Sequence, residues 1–121
     1  MCTTEPFLLP LLSTENTELI IHGCQYSRPE KTVIVSKNPL THKFLDICIN
    51  DEHLLRSNSK ILNCSKCFKC LRTMVTLEHF NLLDLYTDVF DLGIYRSNKD
   101  DYISNLNEND PMEREILEII K

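Results

Sequence analysis

Four cysteines, Cys48, Cys64, Cys67 and Cys70, stand as C-x15-C-x2-C-x2-C and run on into Leu71-Arg72-Thr73. Three thiols within one short run can converge on one ion: a C-x2-C turn sets two sulfurs on a metal while backbone amides point at them, and here one such turn overlaps the next. Structural zinc wants four thiolate or imidazole ligands, so one must come from elsewhere. Cys48 is the first candidate, with His53 and Cys24 behind it. An iron–sulfur cluster is the rival, because the bacterial ferredoxin run also opens C-x2-C-x2-C, but that run continues x3-C-P and position 74 here is Met74. Dithiol exchange asks for two thiols with one poised as a nucleophile, which fits three with a fourth in reserve less well. Four thiolates around Zn2+ carry a net −2, and the interleaved Lys66, Lys69 and Arg72 can offset it. Cys2 and Cys24 have no close cysteine neighbour and read as small apolar side chains.

Other candidates for chemistry are sparse. Arg28 and Lys31 lie one turn apart on a predicted helix and could touch a phosphate or an acidic substrate; the alternative is an ordinary solvated face. His22 has no acid partner in view, and with His42, His53 and His79 it reads as structural. The acidic stretch from Asp100 to Glu118 reads as a solvated face. No Ser-His-Asp pattern or carboxylate pair follows from spacing, so no catalytic residue is nominated.

The elements that must position the thiols read as follows. Residues 1–16 form an irregular lead-in, punctuated by Pro and Thr, and residues 17–121 a single zinc-stabilised domain. Leu19 to His22 reads as a short buried strand closed by Gly23. Ser27 offers an N-cap with Glu30 as its capping-box partner and Pro29 in the first turn; the helix so begun runs to about Lys37 and stops at Asn38-Pro39. Phe44 to Ile49 alternates as a strand with Cys48 opposite Leu45, Ile47 and Ile49, and residues 50–63 form a polar loop. A helix from Phe68 to about Phe80 puts Cys70 in its first turn, where a thiolate gains from the helix N-terminus. Residues 84–109 read as irregular, and a last helix opens with a capping box at Asp110-Pro111-Met112-Glu113, its stripe being Met112, Ile116, Leu117 and Ile120. The predicted class is therefore α/β: a small, incomplete domain with about three helices, one or two short strands and a four-cysteine zinc site.

A chain of 121 residues fits one domain with a modest core, to which a structural metal is a useful supplement. A net charge of −5 gives no general reason to bind DNA or an anionic membrane and argues against RNA. No segment approaches the roughly 20 apolar residues that span a bilayer, and Pro10 interrupts the only apolar start, so a cytoplasmic location with reduced thiols is expected.

Cys48, the Asn63-Cys64-x-x-Cys67-x-Lys69-Cys70-Leu71-Arg72-Thr73 run and the upstream Ser27-Arg28-x-Glu30-Lys31 together resemble the C-terminal part of an uncharacterised bacterial family related to the PP-loop ATP pyrophosphatases. A distant member of that superfamily, 7-cyano-7-deazaguanine synthase, similarly ends in a lone Cys followed by C-x2-C-x2-C holding structural zinc, with a shorter first gap. The resemblance covers roughly residues 11–90 and is most specific at the cysteines, Arg28, Lys31, Arg72 and Thr73. It implies an adenine-nucleotide-binding α/β domain that adenylates an oxygen through a Ser-Gly-Gly-x-Asp-Ser phosphate loop. This chain has only Gly23 and Gly93, and no such loop. The expectation is a C-terminal remnant of a longer protein, not catalytic alone, with the N-terminal nucleotide-binding part as its natural partner. The competing reading is a stand-alone zinc module that contacts protein or RNA through Phe68 and the interleaved Lys and Arg.

Overall fold

The apolar spacing of residues 68–79 is what the rest of the molecule organises around. In the computed structural model, which describes residues 5–50 and 61–121, these residues form a helix whose inner face, Cys70, Leu71, Met74, Val75 and Leu77, is buried. In chain order the helices are α1 (Glu5–Leu8), continued by a 3-10 turn over Leu9–Leu12, then α2 (Arg28–Ser36), α3 (Thr41–Phe44), the central α4 (Phe68–His79), a 3-10 turn over Leu83–Tyr86, α5 (Leu92–Ser104) and α6 (Pro111–Ile120). Helices α2, α5 and α6 all lie against α4, and α2 also meets α6. The core is completed by Leu83, Tyr86, Val89, Phe90, Tyr95 and Ile116.

Local signals explain most helix ends. Ser27 Oγ accepts the Glu30 N–H while Glu30 Oε2 accepts the Ser27 N–H, the reciprocal box expected there, and α2 ends at Ser36, just ahead of Pro39. Helix α4 stops on Asn81, whose φ of 57° is left-handed; Leu82 N–H reaches Leu77 O at 2.8 Å and Asn81 N–H reaches Glu78 O at 3.0 Å, the Schellman arrangement, with Leu77 and Leu82 both on the core. At α6, Asp110 Oδ1 accepts from Met112 and Glu113 N–H, but the expected box is not reciprocal: Glu113 Oε2 accepts from Asn107 instead, at 2.6 Å. Its stripe faces inward through Ile116, with Ile119 and Ile120 beside it and Met112 half-exposed.

The α/β expectation is overturned: the molecule is helical, and no strand or sheet occurs among the described residues. Phe44 closes α3, Leu45 is extended, and residues 45–49 belong to no helix and pair with no second strand. Their alternation is real, yet a strand exists only if another backbone answers its N–H and C=O groups. Leu19 to His22 likewise lies in no strand and joins no ladder, and Ile20 is exposed where a buried strand would hide it. Residues 84–109 are not irregular, since they contain α5. That helix carries Gly, Ser, Asn and Asp, poor helix formers, and a thin apolar stripe. It is stabilised by a local cap, Asp91 on the Gly93 and Ile94 N–H groups, and by a burial that no pattern displays, that of Tyr95 in the core. Within the lead-in, the turns over Glu5–Leu8 and Leu9–Leu12 are too short to leave a period in sequence. Of the predicted loop at residues 50–63, residues 51–60 fall outside the described residues.

Candidate metal centre

The thiol run begins in a turn whose geometry is set by two buried polar residues. Asn63, 2% exposed, spends its whole carboxamide: Nδ2 donates to Leu45 O (2.8 Å) and Val89 O (3.0 Å), and Oδ1 accepts the Ile47 N–H (2.9 Å). It ties the extended segment carrying Cys48 to the turn carrying Cys64. Ser65, fully buried with φ 58°, bends the chain between Cys64 and Lys66; its Oγ donates to Asn63 O and accepts the Asp91 N–H at 2.8 Å. Cys67 then stands at the N-cap position of α4 and Cys70 lies in the first turn, as expected.

These constraints bring Cys48, Cys64, Cys67 and Cys70 together, with all four Sγ atoms within 4.8 Å of one another. The separations are 4.0 Å for Cys48–Cys67, 3.9 Å for Cys64–Cys70 and 3.4 Å for Cys67–Cys70. Ligands about 2.3 Å from a tetrahedral zinc would stand about 3.8 Å apart. The donor set therefore fits one four-coordinate ion in both chemistry and spacing. Cys64 and Cys70 are buried and Cys48 and Cys67 partly so. Backbone amides favour the thiolates: Cys67 N–H points to Cys64 Sγ and Asn50 N–H to Cys48 Sγ, each at 3.3 Å. Cys48 reaches the centre without a strand, through a turn in which its N–H donates to Asp46 Oδ1.

The protons are unevenly shared. Burial opposes ionisation at Cys67, but hydrogen bonding with the Cys70 N–H and with the Cys70 thiol 3.4 Å away brings its pKa down to about 7. Burial, then the same thiol–thiol contact with Cys67, pushes Cys70 up. Burial also raises Cys48, against amide N–H groups of Cys64 and Asn50 that favour its thiolate.

The remaining candidates fall elsewhere. Cys24 is not part of the thiol cluster, and His53 lies outside the described residues. No disulfide joins the described cysteines. His42 is structural, its Nε2 against Ser36 O at 2.9 Å and its ring edge-on to Tyr86; His22 and His79 are exposed. Arg28 and Lys31 do come together with two residues from the thiol run, Arg72 and Thr73: all four, with Thr32, Thr76 and Ile116, line a cavity of about 160 Å³ between α2 and α4. Arg28, Arg72 and Thr73 also face an adjoining cavity of about 510 Å³ with Ile47, Phe68, Lys69 and Met112. Burial and then the Arg28 charge lower the Arg72 pKa.

Asn63 and Ser65 carry roles that the sequence reading passed over. Asn63 was visible only as the first residue of the thiol run; that its side chain replaces a strand partner requires knowing which carbonyls surround it. No helix among the described residues is long and apolar enough to cross a membrane. No family model, curated protein sequence or solved structure matches the chain, so the case for this centre stands on its own geometry.

Proposed function

We propose that the four thiolates hold a structural zinc ion, and that the chain is a metal-clasped, non-catalytic C-terminal part of a PP-loop ATP pyrophosphatase-like protein, though helical rather than the α/β piece that resemblance implies. The observation that carries this reading is the spacing of the four sulfurs, close to that required around one tetrahedral ion. An iron–sulfur cluster would need a wider thiolate set, with each cysteine on a different iron in [4Fe–4S] and two pairs on separate irons in [2Fe–2S]. A structural role is favoured over a catalytic one because all four positions of the tetrahedron are taken by cysteines, whereas catalytic zinc keeps one open for water or substrate. The ion would join the segment before Cys48 to the start of α4. Phe7, Leu8, Leu11 and Leu12 are exposed around α1 and its following turn, which pack on each other and on no other element among those described; this supports a further polypeptide surface as partner.

Elemental analysis of the purified chain, with a visible spectrum, tests the centre. One zinc per chain and no visible absorption are expected; iron with sulfide and charge-transfer bands would overturn the reading. Cys67→Ser should lose the metal and most of the folded state, and an unchanged zinc content and melting temperature would equally sink it.

A further inference from the structure

Helical spacing puts two polar stripes face to face beside the thiol centre. On α2, Arg28, Lys31 and Thr32 follow at i, i+3 and i+4; on α4, Lys69, Arg72, Thr73 and Thr76 follow at i, i+3, i+4 and i+7. The two helices pack together, and the stripes line the paired cavities of about 160 and 510 Å³. Four cations and no carboxylate line them, in a chain whose net charge is −5. Where lysines of the described residues do find acids, they pair on the surface, Lys99 with Glu78 and Lys121 with Glu108; Arg28, Lys31, Lys69 and Arg72 make no such pair. Glu115 accepts the Arg28 backbone N–H at 3.0 Å and acts electrostatically on Arg28 and Arg72, as Asp110 does on Arg72, but neither carboxylate lines either cavity.

The hydroxyls are distributed to match. Thr32 and Thr76 donate back to the carbonyls of Arg28 and Arg72, whereas Thr73, on the wall common to both cavities, gives its proton to no acceptor among the described residues. The larger cavity differs in character: Phe68, Ile47 and Met112 give it an apolar side, with the Arg72 guanidinium 5.9 Å from the Phe68 ring centre. We propose that this cleft binds a small phosphate monoester, its phosphate gripped by Arg28, Lys31 and Arg72 with a hydrogen bond from Thr73, and its organic group lying against Phe68. Guanidinium forks suit the oxygens of a phosphate, and a bound dianion would relieve the juxtaposition of like charges on two helices. Neutralisation of the thiolate centre does not account for the cluster. Arg28 and Lys31 come from a different helix, and Lys66, which lies among the ligands in sequence, is turned to solvent and lines neither cavity.

The test is titration of the metal-loaded protein with phenyl phosphate and with inorganic phosphate at low ionic strength, followed by calorimetry and amide chemical shifts. Phenyl phosphate should bind more tightly, with shifts centred on α2 and the first turns of α4. Arg28→Gln should weaken it about tenfold while metal content and melting temperature stay unchanged. Arg72→Lys, which keeps the charge and loses the fork, should weaken it several-fold. Lys43→Gln, on an exposed residue away from the cleft, should leave it as it is. Failure of both anions to saturate the folded protein, or affinity unmoved by Arg28→Gln and Arg72→Lys, would overturn the proposal. So would equal affinity for the two anions, or loss of metal in Arg28→Gln, which would assign the cations to the thiolate centre.

Discussion

Asn63 decides more of the local architecture than any ligand does. A carboxamide that is fully buried and fully bonded is stable because every donor and acceptor is answered, and the same isolation makes any lapse costly. Asn63→Asp would replace two donors with an acceptor facing the carbonyls of Leu45 and Val89. A loss of about 3 kcal/mol or more is expected in urea unfolding of the metal-loaded protein. A change below about 1 kcal/mol would show that the segment around Ile47 is held by the ion alone. Ser65 works in the same way at smaller scale, its buried hydroxyl linking the thiol turn to the start of α5.

Between elements, the α4–α5 contact is fastened by a half-buried acid. Tyr95 Oη donates to Glu78 Oε2 at 2.7 Å and Lys99 pairs with the same oxygen. Burial pulls the Glu78 pKa up, but those two partners outweigh it and the net shift is downward; burial and then the Glu78 contact raise Tyr95. A carboxylate whose folded pKa lies below its unfolded value contributes stability that is present above about 4.5 and lost as pH falls through the folded pKa. Tyr95→Phe should therefore lower stability at neutral pH by about 1 to 2 kcal/mol and make the acid limb of the stability profile shallower. Parallel acid limbs in wild type and variant would place the pH dependence elsewhere. The element that sequence reading lost, α5, depends on this contact and on its Asp91 cap, both made with residues of other segments or of the turn before it.

For the whole molecule, the proposed ion and the core would act on one equilibrium. Structural zinc in small peptides contributes on the order of 10 to 16 kcal/mol, comparable with the entire stability of a domain. Chelation should therefore abolish the cooperative thermal transition, and zinc should restore it. Since the Cys48 and Cys70 thiols are both pushed up, binding at pH 7 should release at least two protons per ion, and affinity should fall as pH falls. Calorimetry in buffers of different ionisation enthalpy measures that number, and a release near zero would contradict the thiolate centre. What the sequence determined by itself is local: the three clustered thiols, the Ser27 box, the proline stop and the strong apolar period of α4 are all written within a turn or two of where they act. Even the choice of Cys48 was legible, though for a reason that failed, because its run alternates like a strand and then finds no strand to pair with. Only the tertiary structure decided that the molecule is helical, that Asn63 stands in for the missing backbone partner, and that Arg28 and Lys31 meet Arg72 across a cleft. The physical reason is common to all three. Backbone pairing, side-chain bridging and charge juxtaposition depend on which distant segments become neighbours, and a periodicity within one segment carries no information about its neighbours.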